Sequence, residues 1–135
     1  KIDKVYFNKL TKSENVLNQD GEEIDYLMVT TDGPKSKSFA YCSDTAYFDK
    51  LADYIKCVDL LYCETTFLEK DKDKALSTLH STTTDAANLA NKGAVKQLLI
   101  GHFSSRYDDY SNFLKEVKVI FDNVILSEEG KKIQV

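Results

Sequence analysis

Three short apolar runs in this chain break off the same way. SFAYC (38–42) stops at Ser43-Asp44-Thr45, CVDLLYC (57–63) at Glu64-Thr65-Thr66, and VKQLLI (95–100) at Gly101-His102-Phe103-Ser104. SFAYC is continuously apolar, CVDLLYC is a candidate buried strand, and VKQLLI reads as a strand. Segments of helical character separate them. Phe48, Leu51 and Ile55 share one helical face, and HSTTTDAANLANKG has a start at Thr82, a capping-box partner at Asp85 and a stop at Gly93. Tyr110, Phe113, Leu114 and Val117 form another apolar stripe. The alternation predicts an α/β layer fold. It also predicts that Asp44, Glu64 and His102 meet in one crevice if the strands are parallel neighbours, because sites in such folds collect at the carboxyl ends of strands. His80, at a loop-to-helix junction, is placed to lean over the same spot.

Outside these runs, EEIDYLMVT (22–30) alternates well enough for a strand. KDKDKALSTL carries a weak helical pattern, and DNVILSEEGKKIQV reads as two short strands around SEEG. The single proline, in DGPKSKS, marks a loop. The length of 135 residues suits one domain. No apolar run approaches the roughly 20 residues needed to cross a bilayer, and KIDKVYF lacks the features of a signal peptide. The missing initiator methionine points to a partial chain. A net charge of −4 excludes a general nucleic-acid coat but not a nuclease whose positive charge is carried by metal ions. Cys42, Cys57 and Cys63 are odd in number and sit in apolar surroundings, which suggests buried thiols in a reducing, cytoplasmic setting.

Aspartate and histidine at strand ends suit zinc or manganese. Spacing alone equally allows Asp44 to cap a turn and His102 to be a satisfied strand-end histidine. Arg106 suits either a phosphate or an ion pair with Asp108 or Asp109.

The segments AYCSDTAY, LLYCETTF, HSTTTDAA and GHFSSRY, in this order, resemble ribonuclease Z, the tRNA 3′-processing endonuclease of the metallo-β-lactamase superfamily. The resemblance covers residues 37–135 and corresponds to the C-terminal half of that family. It implies half of a metallo-β-lactamase-type αβ/βα sandwich, a mixed sheet with helices on one face. It implies that the parent is a metal-dependent endoribonuclease removing the 3′ trailer from precursor tRNA by metal-hydroxide attack on a phosphodiester. Alternatives are a hydrolase of a small phosphodiester or sulfate ester, and a catalytically inactive structural half. Asp44 then matches the aspartate bridging two zinc ions (manganese or magnesium being alternatives), and His102 a ligand of the second ion. His80 matches a histidine that donates a proton to the leaving 3′ oxygen, with Glu64 orienting a histidine beside it. Ser104, Ser105 and Arg106 are candidate phosphate contacts. Cys63 stands where the family usually has histidine. The family's His-x-His-x-Asp-His motif and its RNA-gripping arm are absent from these residues. The expected partners are therefore precursor tRNA, the N-terminal half of the fold and a second copy in a homodimer. The 135 residues alone are expected to be inactive and to hold metal weakly.

Overall fold

The computed structural model describes residues 2–135, and its backbone contacts cluster in two units that divide after Ser36. The first unit is built from short pieces. Helices α1 (Phe7–Leu10) and α2 (Tyr26–Val29) flank an antiparallel ribbon of β1 (Val16–Leu17) and β2 (Glu23–Ile24), in register Val16↔Ile24 and Leu17↔Glu23. The ribbon's turn is held by Asn18, whose Oδ1 accepts the backbone N–H groups of Asp20 and Glu22. Gly21 completes it at φ +82°, which glycine adopts without a steric penalty. The predicted strand over 22–30 is thus a two-residue strand followed by a helical turn. Asp25 caps that turn through the N–H of Leu27, and the capping bond outcompetes the extended pattern.

The second unit, Lys37–Val135, coincides with the stretch that carries the resemblance. Its sheet runs β3 (Phe39–Cys42), β4 (Leu60–Glu64), β5 (Gln97–Gly101) and β6 (Val124–Leu126) in that spatial order, every pair parallel. Between them lie α3 (Leu51–Tyr54), α4 (Lys72–Thr78), α5 (Thr83–Lys92) and α6 (Ser111–Lys118). The four-stranded sheet is parallel throughout rather than mixed, because each return to the sheet passes through a helical crossover. Only the first of the two predicted closing strands forms. Beyond Leu126 the chain makes a turn in which Lys131 N–H bonds to the Glu128 carbonyl.

Register fixes which side chains share a face. Ala40, Leu61, Leu98 and Val124 line up across the sheet, as do Cys42, Cys63, Ile100 and Leu126, and all belong to or pack on one core with Ala86, Leu89, Ala90, Phe113 and Val117 from α5 and α6. The other face carries Phe39 and Tyr41, both exposed, with Tyr41 stacked on Tyr62 at 4.5 Å between ring centroids. The capping box at α5 forms as predicted: Thr82 Oγ1 accepts Asp85 N–H at 3.1 Å, and Asp85 Oδ2 accepts Thr82 N–H at 3.0 Å. Cys42 and Cys63 are buried in the core, and burial pushes both thiols up in pKa, Cys63 well above the ordinary range. Cys57 differs from expectation, lying exposed at φ +59° in the turn before β4.

One electrostatic clamp sets the starts of three strands. Asp59 Oδ1 accepts Lys96 Nζ at 2.6 Å, and Oδ2 accepts the Ser38 N–H at 2.8 Å and hydroxyl at 2.9 Å. The Lys96 bond, then the two from Ser38, hold this carboxyl far below the usual carboxylate range. A depressed pKa contributes stability above the unfolded value of about 4 and loses it as pH falls toward the folded value. Urea unfolding of the wild type between pH 5 and 2 should therefore show a steeper loss of stability than Asp59→Asn. Equal slopes would remove the clamp from the acid sensitivity of the fold.

Candidate active site

The parallel order β3-β4-β5 brings the three polar strand ends side by side. Asp44 lies two residues beyond β3, Glu64 ends β4, and His102 follows β5 directly. His80 comes from the turn after α4, whose C-cap Leu79 is left-handed at φ +58° and redirects the chain toward the sheet. Asp44 (φ +49°) and His102 (φ +62°) are left-handed too. Such backbone costs a non-glycine residue about 1–3 kcal/mol and persists where the surroundings over-determine it. Here the conformation turns both side chains out of their strands toward each other.

Asp44, His80 and His102 each offer one ligand atom, all within 4.8 Å of one another, and among the described residues they are the group able to hold a metal ion. His102 Nε2 lies 3.1 Å from Asp44 Oδ1. Two donors on one four-coordinate zinc at about 2.0–2.2 Å sit about 3.3 Å apart, so this pair fits a shared ion. Asp44 is well exposed and the two imidazoles are 5.4 Å apart between ring centroids, so the donors open onto solvent.

Beneath them lies a buried polar layer. Glu64 is fully buried and accepts four hydrogen bonds. Oε1 takes His80 Nδ1 at 2.9 Å and Ser81 N–H at 3.0 Å, while Oε2 takes Thr66 N–H at 3.0 Å and Thr66 Oγ1 at 2.7 Å. Thr66 Oγ1 also sits 2.9 Å from His102 Nδ1 and 3.3 Å from His80 Nδ1. Ser81 Oγ donates to the Thr45 carbonyl at 2.7 Å, tying the His80 turn to the loop bearing Asp44. Every buried side-chain polar atom among the described residues has a partner, as buried polar groups require. Thr66 and Ser81 were not singled out in the sequence. Their only signal was the run of hydroxyl residues directly after Glu64 and His80.

Gly101, the last residue of β5, sits in a tight space. A Cβ at this position would lie 2.5 Å from Ser127 Oγ and 2.8 Å from the Tyr62 hydroxyl, so any larger residue here would force those two side chains to move.

The candidate phosphate contacts follow His102 directly, and Ser104 N–H donates to the Thr66 carbonyl at 3.1 Å. Arg106 is exposed, with Nη1 3.8 Å from Asp71 Oδ1, Nε 3.3 Å from Ser104 Oγ, and its guanidinium 5.0 Å above the Phe67 ring. Its acidic neighbour is therefore Asp71, not the nearby Asp108 or Asp109. The Tyr107 hydroxyl donates to the same Asp71, so Tyr107 acts in packing and anchoring. Ser105 is exposed. Cys63 points into the helix-covered core rather than into the site, so the departure from histidine takes no donor from the Asp44–His80–His102 group.

No protein-family profile matches the chain. Curated relatives do. The chain is 41% identical over 127 residues to ribonuclease Z of Parabacteroides distasonis, a match covering 94% of this chain and 42% of that protein. It is 48% identical over 101 residues to ribonuclease Z of Cytophaga hutchinsonii, covering 75% and 32% respectively. The chain thus spans about two-fifths of the length of the curated relatives it matches. Among solved structures, the metallo-beta-lactamase fold protein YhfI from Bacillus subtilis superposes with a TM-score of 0.65 at 24% identity, over 71% of this chain and 39% of that one, a likeness of fold. The chain is a ribonuclease Z homologue on a metallo-β-lactamase-type α/β fold.

Proposed function

We propose that this chain forms part of a metal-dependent endoribonuclease that removes the 3′ trailer from precursor tRNA. The observation that carries the reading is the convergence of Asp44, His80 and His102 over a buried Glu64, in a chain homologous to ribonuclease Z. Asp44 and His102 would hold the metal, with zinc suited to this oxygen and nitrogen donor set and manganese or magnesium as alternatives. A bound divalent ion would supply Lewis acidity and an activated water for attack on the phosphodiester.

The chain's own residues do the remainder. Glu64 holds His80 through Nδ1, which leaves Nε2 free to carry a proton. A ring oriented this way can protonate the leaving 3′ oxygen, the role of a general acid. Arg106, with Ser104 and Ser105, would contact phosphate along the RNA after releasing Asp71, and guanidinium suits this because its fork matches phosphate oxygens. The exposed sheet face with Phe39 and Tyr41 supports covering by the remaining part of the fold or by a second copy. No helix among the described residues is long and apolar enough to cross a membrane.

The test is turnover by the whole protein of a precursor tRNA bearing a 3′ trailer, beside bis(p-nitrophenyl) phosphate. The expected products are a tRNA with a 3′-hydroxyl and a trailer with a 5′-phosphate, both lost in Asp44→Ala. Turnover of the small diester alone would move the assignment to a small-phosphodiester hydrolase.

A further inference from the structure

The proton on His102 is contested between its two neighbours. Nε2 faces Asp44 Oδ1 at 3.1 Å and Nδ1 faces Thr66 Oγ1 at 2.9 Å. Were Nε2 protonated, it would donate to Asp44, and the Thr66 hydroxyl would turn its one hydrogen to Nδ1. The Thr66 hydroxyl has a competing claim, because it lies 2.7 Å from Glu64 Oε2. Turning that hydrogen away would set two oxygen acceptors against each other at 2.7 Å inside a layer where Glu64 is 0% exposed and cannot turn to water. Oε2 would keep only its bond from the Thr66 backbone N–H and lose a charge-assisted one, which costs more than a neutral hydrogen bond in a buried layer. In the metal-free protein the unprotonated Nε2 and Asp44 Oδ1 also face each other as acceptors at 3.1 Å. This pair lies at the surface, where the 69% exposed carboxylate can turn to water, so the conflict costs less there than in the buried layer. The buried end of the chain of bonds therefore wins. Thr66 donates to Glu64, and its lone pair then accepts from His102 Nδ1.

We propose that Thr66 is a positioning residue that holds His102 in the Nδ1–H form and so keeps Nε2 unprotonated, its lone pair available to an ion shared with Asp44. The same carboxylate fixes His80 directly, by accepting from its Nδ1, so one buried glutamate sets both rings, one of them through Thr66. The inference deepens the proposed metal site: a histidine presents a lone pair to an ion only from the nitrogen that carries no proton, and the hydrogen bond on the other nitrogen decides which that is. A serine would preserve the hydroxyl, whereas valine keeps the shape and removes both the donor and the acceptor.

The experiment reads which ring nitrogen carries the proton, by long-range 1H–15N correlation on the metal-free protein at a pH of about 8, where imidazole is neutral. The wild type should show His102 in the Nδ1–H form. Thr66→Val should shift the population toward Nε2–H by about tenfold, the ratio one hydrogen bond supports, while His80 keeps its Nδ1–H. Thr66→Ser should match the wild type. A wild type dominated by Nε2–H at His102 overturns the proposal without any variant. So does an unchanged His102 in a folded Thr66→Val. If the valine variant does not fold, the wild-type and serine spectra decide. No RNA or metal enters the measurement, so failure of the nuclease reading would leave its outcome untouched.

Discussion

Replacing His80 by alanine in the whole protein is expected to lower kcat on precursor tRNA by about 10²–10⁴-fold, the range that a positioned general acid contributes. KM should change little, because the ring is assigned to the leaving oxygen rather than to binding. The loss should depend on the leaving group. A 3′ alkoxide needs a proton as it departs, whereas p-nitrophenolate leaves without one, so the rate on bis(p-nitrophenyl) phosphate should fall far less. The geometry behind this is the 2.9 Å bond from His80 Nδ1 to Glu64, which fixes the ring while leaving Nε2 available. Equal losses on both substrates would assign His80 to site architecture or metal binding and remove the acid role.

Replacing Glu64 is expected to have its largest effect on folding. The side chain is fully buried and accepts two backbone N–H groups, from Thr66 and Ser81, in addition to the Thr66 hydroxyl and His80. Glu64→Ala strands both buried backbone donors at about 1–3 kcal/mol each, giving a loss of about 2–6 kcal/mol. In a domain with about 5–15 kcal/mol of total stability, this should lower Tm on the order of 10 °C. Glu64→Gln should be nearly as damaging despite its matching shape. Both carboxylate oxygens receive a backbone N–H, so an amide NH2 in either position sets donor against donor. Thermal melts of the three proteins make the comparison, and a glutamine variant as stable as the wild type would show that the four-bond arrangement is not what holds Glu64.

Much of the fold was legible because parallel strands and amphipathic helices leave local signatures. The runs ending at Cys42, Cys63 and Ile100 are apolar over their last three or four residues. The α5 helix announces its start with Thr82 and Asp85, and α6 shows its core face through Phe113 and Val117. The segment 22–30 misled because a period of two over a few residues says little about a four-residue helical turn, which an Asp25 cap was enough to select. The partner of Arg106 was illegible for a different reason. Asp71 is 35 positions away in sequence, and only the packing of its turn beneath residues 104–107 brings it near.

The residue types and their order, by themselves, determined which groups can do chemistry in this protein: an aspartate, a glutamate and a histidine at the ends of three strands, and a second histidine at a helix entry. That follows from short-range physics, since strand exits and caps are specified within a few residues of the side chain they present. The tertiary structure alone decided that β3, β4 and β5 are adjacent and parallel, that Asp44 and His102 turn left-handed toward one another, and that Thr66 bridges a buried carboxylate to an exposed imidazole. Apart from the local Thr66–Glu64 bond, those relations join groups 21 to 58 residues apart, fixed by sheet register and by the demand that every buried polar atom find a partner, and neither is written in any local stretch of the chain.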